Sequence, residues 1–248
     1  MIKFCNDNSV INLDDGYFFS TGVFETILVK NTPVFLSKHI ERLNKSIKLL
    51  NIKQTIDKLD VLNFIVENNI KNCVLKIVVS EKNIIATTRK IIYNDKDYNT
   101  GFKLKLSSVI RNSTSLLSYI KSTSYSENII ERSKAKELGY DEVLFLNEAG
   151  FISECSMSNI FWVKKDIIYT PDIKSGLLNG IIRQWIIENY NITQEKFDLK
   201  NILNADEIFI TNSVMGIMKV SMIDNIFFEK SSVIENIQKD YKRVLEEL

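Results

Sequence analysis

The sequence predicts an α+β fold in two domains, and three observations carry that expectation. The chain has 248 residues, of which 45% are hydrophobic, enough to bury a sizeable core in one large domain or two small ones. Its first 110 residues set strand-like runs around helical spacing, the pattern of a small α+β unit with a largely antiparallel sheet. A polar, hydroxyl-rich run, RNSTSLLS from Arg111 to Ser118, then separates that unit from a second set of short strands and helices. The expected division is a small N-terminal domain at 1–110, a linker at 111–120 and a larger C-terminal domain at 121–248.

The elements follow in order. GYFFSTGVFETILVK, from Gly16 to Lys30, is rich in aromatic and β-branched residues and predicts a strand. Pro33 to Leu36 predicts a second short strand after a turn at Asn31-Thr32. Ser37 is placed as a helix N-cap, followed by Ile40, Leu43, Ile47 and Leu50 at spacings of three and four. Ile56, Leu59, Leu62 and Ile65 mark one side of a second helix. NCVLKIVVSE, IIATTRKIIY and FKLKLSSVI read as strands. Beyond the linker, a helix is expected from Ser126 to Gly139 on its cap, its glycine stop and its lack of breakers. EVLFLN, FISE, NIFWVK and IIYT are short strands separated by turns at Glu148-Ala149-Gly150 and Lys165-Asp166. A helix is expected to start near Asn179-Gly180. ADEIFITNS reads as a strand, and SSVIENIQKDYKRVLEEL as an amphipathic helix.

Composition narrows the function. Lys+Arg is 32 and Asp+Glu is 31, a net charge of +1, so no whole-protein field favours nucleic acid or an anionic membrane. Cys5, Cys73 and Cys155 lie far apart and match neither a metal-ligand spacing nor an even disulfide set, which suits a reducing compartment. The N-terminal MIKFCNDNSV lacks an apolar signal core, and no apolar run approaches a membrane span. The expectation is a cytoplasmic protein without nucleic-acid or membrane partners. The single histidine, His39, sits amid helical spacing without a nucleophile elbow, which argues against a Ser-His-Asp hydrolase. No Walker A or GxGxxG loop is present, and no His/Cys cluster suggests a metal.

Lysine chemistry is left. SYIKSTSY, from Ser118 to Tyr125, places Lys121 in a run of hydroxyl side chains before a helix. A nucleophilic lysine must lose its proton, and its ordinary pKa of roughly 10.4 has to be lowered by burial or a neighbouring cation. On local composition alone, a surface lysine is the commoner explanation.

The order of features downstream changes that weighing. After Lys121 come G-x-D-E and a hairpin, then S-E-C-x-x-S-N-I-F-W, then Y-T-P, then L-N-G-I-x-R. In this order they resemble the branched-chain and D-amino-acid aminotransferase family of pyridoxal-phosphate enzymes, fold type IV. DDGYFFSTGVFETI, FLSKHIERLNKS and ITNSVMGIMKV are similar to the family's remaining blocks, so the resemblance covers nearly the whole chain. It implies a small N-terminal α+β domain and a larger cofactor-binding domain with a mixed sheet or barrel core flanked by helices. Homodimers and a small-molecule substrate are implied too.

The resemblance also implies roles. Lys121 would carry pyridoxal 5'-phosphate as a Schiff base and shuttle protons. Glu154 would pair with the pyridine nitrogen and keep the ring electron-poor. Arg42 would offer its guanidinium fork to the phosphate. The backbone of Ile181 and Ile182 would meet the same phosphate at a helix N-terminus. Asn212 and Ser213 would complete the phosphate cup, and Leu178 would pack on the ring face.

Within the family, F-E-T at Phe24-Glu25-Thr26, S-N-I-F-W and L-N-G-I-I-R-Q are most similar to the aminodeoxychorismate lyases, which release pyruvate and 4-aminobenzoate for folate synthesis. Thr26 is then a candidate proton-handling or substrate-positioning hydroxyl. Phe24, Arg89 and Arg111 are candidate substrate contacts, the arginines because that substrate has two carboxylates. Branched-chain or D-amino-acid transamination is the alternative, and a degenerate binding module a third possibility. Four departures from the family pattern bear on the choice: Ser20-Thr21-Gly22 before V-F-E, Leu28 after E-T, Ser124 after the lysine, and Ile182 where threonine is frequent.

Overall fold

Every residue from Val23 to Val29 except Thr26 is buried, so this strand is packed on both faces. The computed structural model describes residues 2–5 and 9–247 and divides into two units; residues 1, 6–8 and 248, the ends of the expected domain spans among them, lie outside the described residues.

The first unit takes in the described residues up to Ile92 together with Ile120–Tyr125. It contains β1 (Lys3–Phe4), α1 (Asp15–Phe19), β2 (Val23–Val29), α2 (Leu36–Leu49), α3 (Lys58–Glu67), β3 (Cys73–Val79) and β4 (Ile84–Arg89). The sheet order is β1-β4-β3-β2, with β2, β3 and β4 antiparallel and β1 parallel to β4. Val23, Ile27 and Val29 share a core with Leu75, Ile77 and Val79 and with Leu36, Ile40, Leu43 and Ile47 of α2. Burying each such side chain is worth about 1.5–3 kcal/mol, so this helix face fixes β2 against α2.

Local chemistry redraws several expected boundaries here. The strand expected from Gly16 begins only at Val23, because the Asp14 carboxylate caps the Tyr17 N–H at 3.1 Å and closes α1 first. Pro33 to Leu36 forms no strand beyond a bridge between Val29 and Pro33, since Phe35 takes a left-handed φ of 51° and turns into α2. On α3 the buried face is Val61, Phe64 and Ile65, while Leu59 points to solvent. Asp57 caps this helix, so Ile56 lies before its helical phase begins.

The second unit runs from Tyr93 to Tyr119 and from Ser126 to Glu246. It contains α4 (Asp95–Thr100), β5 (Phe102–Arg111), α5 (Ser126–Glu137), β6 (Glu142–Asn147), β7 (Ile152–Cys155), β8 (Asn159–Lys164), β9 (Ile167–Pro171), α6 (Ile181–Asn189), β10 (Ile192–Glu195), α7 (Leu199–Leu203), β11 (Glu207–Asn212), β12 (Gly216–Ile223), β13 (Ile226–Phe227) and α8 (Ser232–Glu246). A nine-stranded mixed sheet has the order β10-β9-β8-β11-β12-β5-β6-β7, with β13 on β12. It curls so that β7 packs beside β8 and β9. The fold is therefore α+β, with a small sheet and a large mixed one.

Chain division differs from the sequence-based one in two places. β5 was expected to close the N-terminal domain, but it pairs in parallel with β6 and β12 inside the large sheet. Ile120–Tyr125 packs with the first unit, because residues 121–123 run beside the start of β2. The expected linker is partly ordered, with a 3-10 turn at Leu116–Ser118.

Candidate active site

Alternation along β2 sends Phe24 and Thr26 to one face and Glu25 to the other. The main chain of Lys121 is fixed next to them: the Phe24 N–H donates to the Lys121 carbonyl at 2.8 Å, and the Thr123 N–H to the Gly22 carbonyl at 2.8 Å. The Thr123 hydroxyl donates to the Ser20 carbonyl at 2.7 Å, so one of the hydroxyls around the lysine anchors its segment. Gly22 is needed for this approach, since a Cβ there would stand 3.0 Å from Thr123 Oγ1 and 3.1 Å from the Val79 carbonyl. Lys121 Nζ lies 4.5 Å from the centre of the Phe24 ring, and Tyr125 meets that ring edge-on at 5.4 Å.

On the opposite face of β2, Glu25 is fully buried between two donors from α2. Arg42 donates Nε to Oε1 at 2.7 Å and Nη2 to Oε2 at 2.8 Å, and His39 Nδ1 lies 2.6 Å from Oε2. His39 and Arg42 are three apart on the helix, so both reach the same strand position. Burial alone would raise the Glu25 pKa, but Arg42 and His39 outweigh it and hold the carboxyl well below the usual carboxylate range. Burial lowers the His39 pKa despite its carboxylate neighbour. The fork expected to meet a phosphate is therefore turned to Glu25. Arg42 is a positioned donor within a pair that is close to neutral, rather than a full point charge.

In the second unit, Glu154 near the end of β7 accepts the Leu178 N–H at 3.1 Å and Asn159 Nδ2 at 3.2 Å. Asn159 Nδ2 also donates to the Leu178 carbonyl at 2.8 Å. Leu178 is thus tied to Glu154 by its backbone, with a half-buried side chain. α6 starts at Ile181 with Gly180 as its N-cap and no side-chain cap bond, so the first N–H groups of that helix meet no capping side chain. The Ile181 and Ile182 side chains are buried, which leaves their backbone N–H groups as the polar part at the helix start. Gly180 has a more specific cause than room for a phosphate: a Cβ there would stand 2.1 Å from Asn159 Oδ1. Asn212 Oδ1 accepts the N–H groups of Val214 and Met215 at 3.0 and 2.9 Å, so its side chain shapes its own turn. Ser213 follows in that turn, half-buried.

The two candidate arginines fare differently. Arg89 ends β4 with an exposed side chain. Arg111, in the second unit, is committed to Glu127 Oε2 at 3.2 Å, Asn128 Oδ1 at 3.1 Å and the Phe145 ring at 4.2 Å. Four further residues are not assigned to a site by the sequence. Lys76 stands directly across from Thr26 in the β2–β3 register; its signal was one charge inside the apolar CVLKIVV. Glu25 was visible only within F-E-T, and His39 only as the single histidine of a helix. Glu142 is buried and accepts the Val143, Ser156 and Met157 N–H groups at 2.9, 3.2 and 3.1 Å and the Ser156 hydroxyl, which fixes the turn after Glu154. Burial pushes its carboxyl pKa up although these bonds act against it. Among the described residues no group of acidic, histidine and cysteine side chains could hold a metal, and no helix is long and apolar enough to cross a membrane.

The amino-transferase class IV model matches residues 22–223. The aminodeoxychorismate lyase of Bacillus subtilis (strain 168) is 30% identical over 246 residues, covering 88% of this chain and 83% of that protein. A probable branched-chain-amino-acid aminotransferase of Rickettsia felis is also 30% identical, over 257 residues, covering 92% and 88%. The crystal structure of a putative 4-amino-4-deoxychorismate lyase from Legionella pneumophila superimposes with a TM-score of 0.86 at 26% identity, covering 98% of this chain and 99% of that one.

Proposed function

The chain belongs to the amino-transferase class IV family, and from that premise we propose that it is a 4-amino-4-deoxychorismate lyase, releasing pyruvate and 4-aminobenzoate for folate synthesis. The family works with pyridoxal 5'-phosphate. The donor set here suits that group: an amine on a fixed segment, a carboxylate aimed by Leu178 and Asn159, and a helix start without a side-chain cap. When bound, the cofactor draws electrons from the carbon that bears the substrate's amine.

Lys121 would hold the cofactor through its amine and afterwards carry protons with the same nitrogen. Glu154 would accept the hydrogen bond of the ring N–H and keep that nitrogen protonated. Ile181 and Ile182 would give backbone N–H groups to the phosphate, and the Asn212-Ser213 turn and Arg42 would add further donors. The Leu178 side chain would pack on the ring, and Phe24 would orient the Lys121 amine.

One observation carries the lyase over the aminotransferase. Thr26 makes no side-chain hydrogen bond among the described residues, and it shares the strand face of Phe24, on whose ring Lys121 rests. Losing pyruvate while the ring becomes aromatic takes one proton off the ring and delivers one to the departing three-carbon unit. A second proton-handling group helps there, whereas amino transfer moves a proton that one lysine can carry. The equal identity to a branched-chain aminotransferase keeps transamination as the second reading. The same proposal includes a homodimer, supported by Tyr17, Phe18 and Phe19 exposed together on α1, and a cytoplasmic location, supported by three free cysteines.

The test uses the purified holoenzyme with aminodeoxychorismate, and separately with L-leucine or D-alanine plus 2-oxoglutarate. Pyruvate and 4-aminobenzoate are expected from the first mixture alone, and Thr26→Val should lower that kcat by about a hundredfold. Glutamate formed in the second mixture at a comparable rate would sink the lyase.

A further inference from the structure

Asn159 opens β8 with a buried side chain, and its amide faces two ways. Nδ2 donates to Glu154 Oε2 at 3.2 Å and to the Leu178 carbonyl at 2.8 Å. Both partners are acceptors, which assigns the nitrogen to that side and Oδ1 to the other. The Leu178 N–H closes the frame by donating to the same Glu154 oxygen at 3.1 Å. Oδ1 lies against the start of α6, 2.1 Å from where a Cβ on Gly180 would stand. Gly180 has φ −65° and ψ 150°, a backbone that any residue adopts, so its conformation does not call for glycine. Beyond Asn159, the nearest atom to that Cβ would be Arg183 Cβ at 3.7 Å, an ordinary contact. The amide of Asn159 alone therefore keeps a side chain from this position. The amide has little room to yield. Asn159 pairs with Thr211 in the β8–β11 register, and the turn before it is closed by the Cys155 N–H on the Ser158 carbonyl at 2.8 Å.

One short side chain thus joins two places with different tasks in the proposed function. Glu154 is to meet the ring nitrogen of the cofactor, and the first N–H groups of α6 its phosphate. Both groups belong to one small molecule, so a shift of one place against the other misplaces the whole. A hydrogen bond to a carboxylate is strong only while it is aligned, and it weakens steeply as the angle falls. We propose that Asn159 is a positioning residue that locks the direction of Glu154 to the start of α6, so that the grip on the phosphate and the bond to the ring nitrogen are set together. Asn159 acts through Glu154 and touches no reacting atom. A side chain at Gly180 then disturbs the ring-nitrogen end from the phosphate end, because it displaces the amide that serves both. The assignment rests on Glu154 as the partner of the ring nitrogen and is the same for the lyase and the aminotransferase.

The experiment reads binding rather than turnover. The full chain, stripped of cofactor, is titrated with pyridoxal 5'-phosphate and with its analogue that has C–H in place of the ring nitrogen. Both ligands keep the aldehyde and the phosphate, so the ratio of their affinities reports the ring-nitrogen bond, and general damage to the fold cancels. Asn159→Ala should lower the wild-type preference for the natural cofactor by about tenfold, the loss of one aligned hydrogen bond to a charged group. Gly180→Ala should lower it by a similar factor, although it lies at the phosphate end. The double variant should lose no more than Asn159→Ala alone, the mark of two residues that act as one. Asn159→Leu, close to asparagine in volume, replaces Asn159→Ala in the same comparison if that variant does not fold. Glu154→Gln is the reference. A preference abolished by Glu154→Gln but kept in Asn159→Ala overturns the assignment and leaves Glu154 in its role. A preference untouched by Glu154→Gln removes Glu154 as the partner of the ring nitrogen, and the assignment with it. Equal loss of both ligands in Gly180→Ala, or factors that multiply in the double variant, overturns the link between the two ends. Release of 4-aminobenzoate by the wild type is measured separately, so the lyase reading stands or falls without changing these ratios.

Discussion

Replacing Glu25 with glutamine should destabilise the protein severely while changing almost no volume. Glu25 is fully buried and meets three donor nitrogens at 2.6 to 2.8 Å. Glutamine retains one acceptor oxygen and turns an NH2 toward donors on α2, so Arg42 loses its counter-charge and a donor faces a donor. Removing one partner of a buried ion pair costs about 3–5 kcal/mol. Arg42 keeps slight contact with water, its side chain 13% exposed, which places the expectation near the lower end, about 3 kcal/mol. For a chain of this size that corresponds to a fall in Tm of roughly 6–12 °C, read by calorimetry or circular dichroism. The pH dependence supplies a signature. The folded carboxyl titrates well below its unfolded value of roughly 4.3. Its contribution is therefore complete above about pH 5 and is lost as pH falls toward the folded value. The Tm gap between wild type and Glu25→Gln should stay level from pH 8 to 5 and narrow only below that. A loss under about 1 kcal/mol, or a gap that widens on acidification, would refute the reasoning.

Two further outcomes follow from the geometry. Gly180→Ala drives a Cβ against Asn159 Oδ1 and breaks the links of Asn159 to Glu154 and Leu178, so a loss of about 2–4 kcal/mol and weaker cofactor retention on gel filtration are expected; unchanged Tm and retention would show that Asn159 moves aside freely. Lys121→Ala should remove the visible absorbance of the bound cofactor and leave nothing for borohydride to fix to the chain; an adduct trapped on another lysine would assign the attachment elsewhere.

Local signals decided how much could be read from the chain. Strands β6, β8 and β11, together with the start of α6, were legible because apolar runs bounded by turns and a Gly at a helix N-cap are short-range features. α1 was not, since one capping carboxylate, Asp14, outvoted a strand-like run of aromatics. The home of β5 was not legible either, because its partners β6 and β12 are set by tertiary pairing rather than by its own residues. Lys121, Glu154 and the helix start were singled out through motif order, as roles the resemblance implies. The partner of Arg42 was hidden: Glu25 lies 17 residues away, and nothing in the spacing says that the guanidinium turns back to β2. Lys76 was hidden for a related reason, since a lysine in a strand is ordinarily a solvated charge and only the register across to Thr26 and the shared ring of Phe24 distinguish it.

The strand at 23–29 holds Phe24, Glu25 and Thr26 as one structural unit. Successive side chains point to opposite faces, so Glu25 alone is committed to α2 while Phe24 and Thr26 stay on the face of Lys76. A one-residue slip would exchange the two sets, putting a carboxylate beside the lysines and a hydroxyl into the grip of Arg42. The register is held from both sides: by the apolar Val23, Ile27 and Val29 against α2, and by the hydrogen bonds of residues 22 and 24 to residues 121 and 123. By pinning Glu25 inward the buried ion pair fixes which face Thr26 shows and, through Phe24, where the Lys121 amine rests. In the proposed lyase, stability and reactivity are then properties of the same three residues, read on alternate faces.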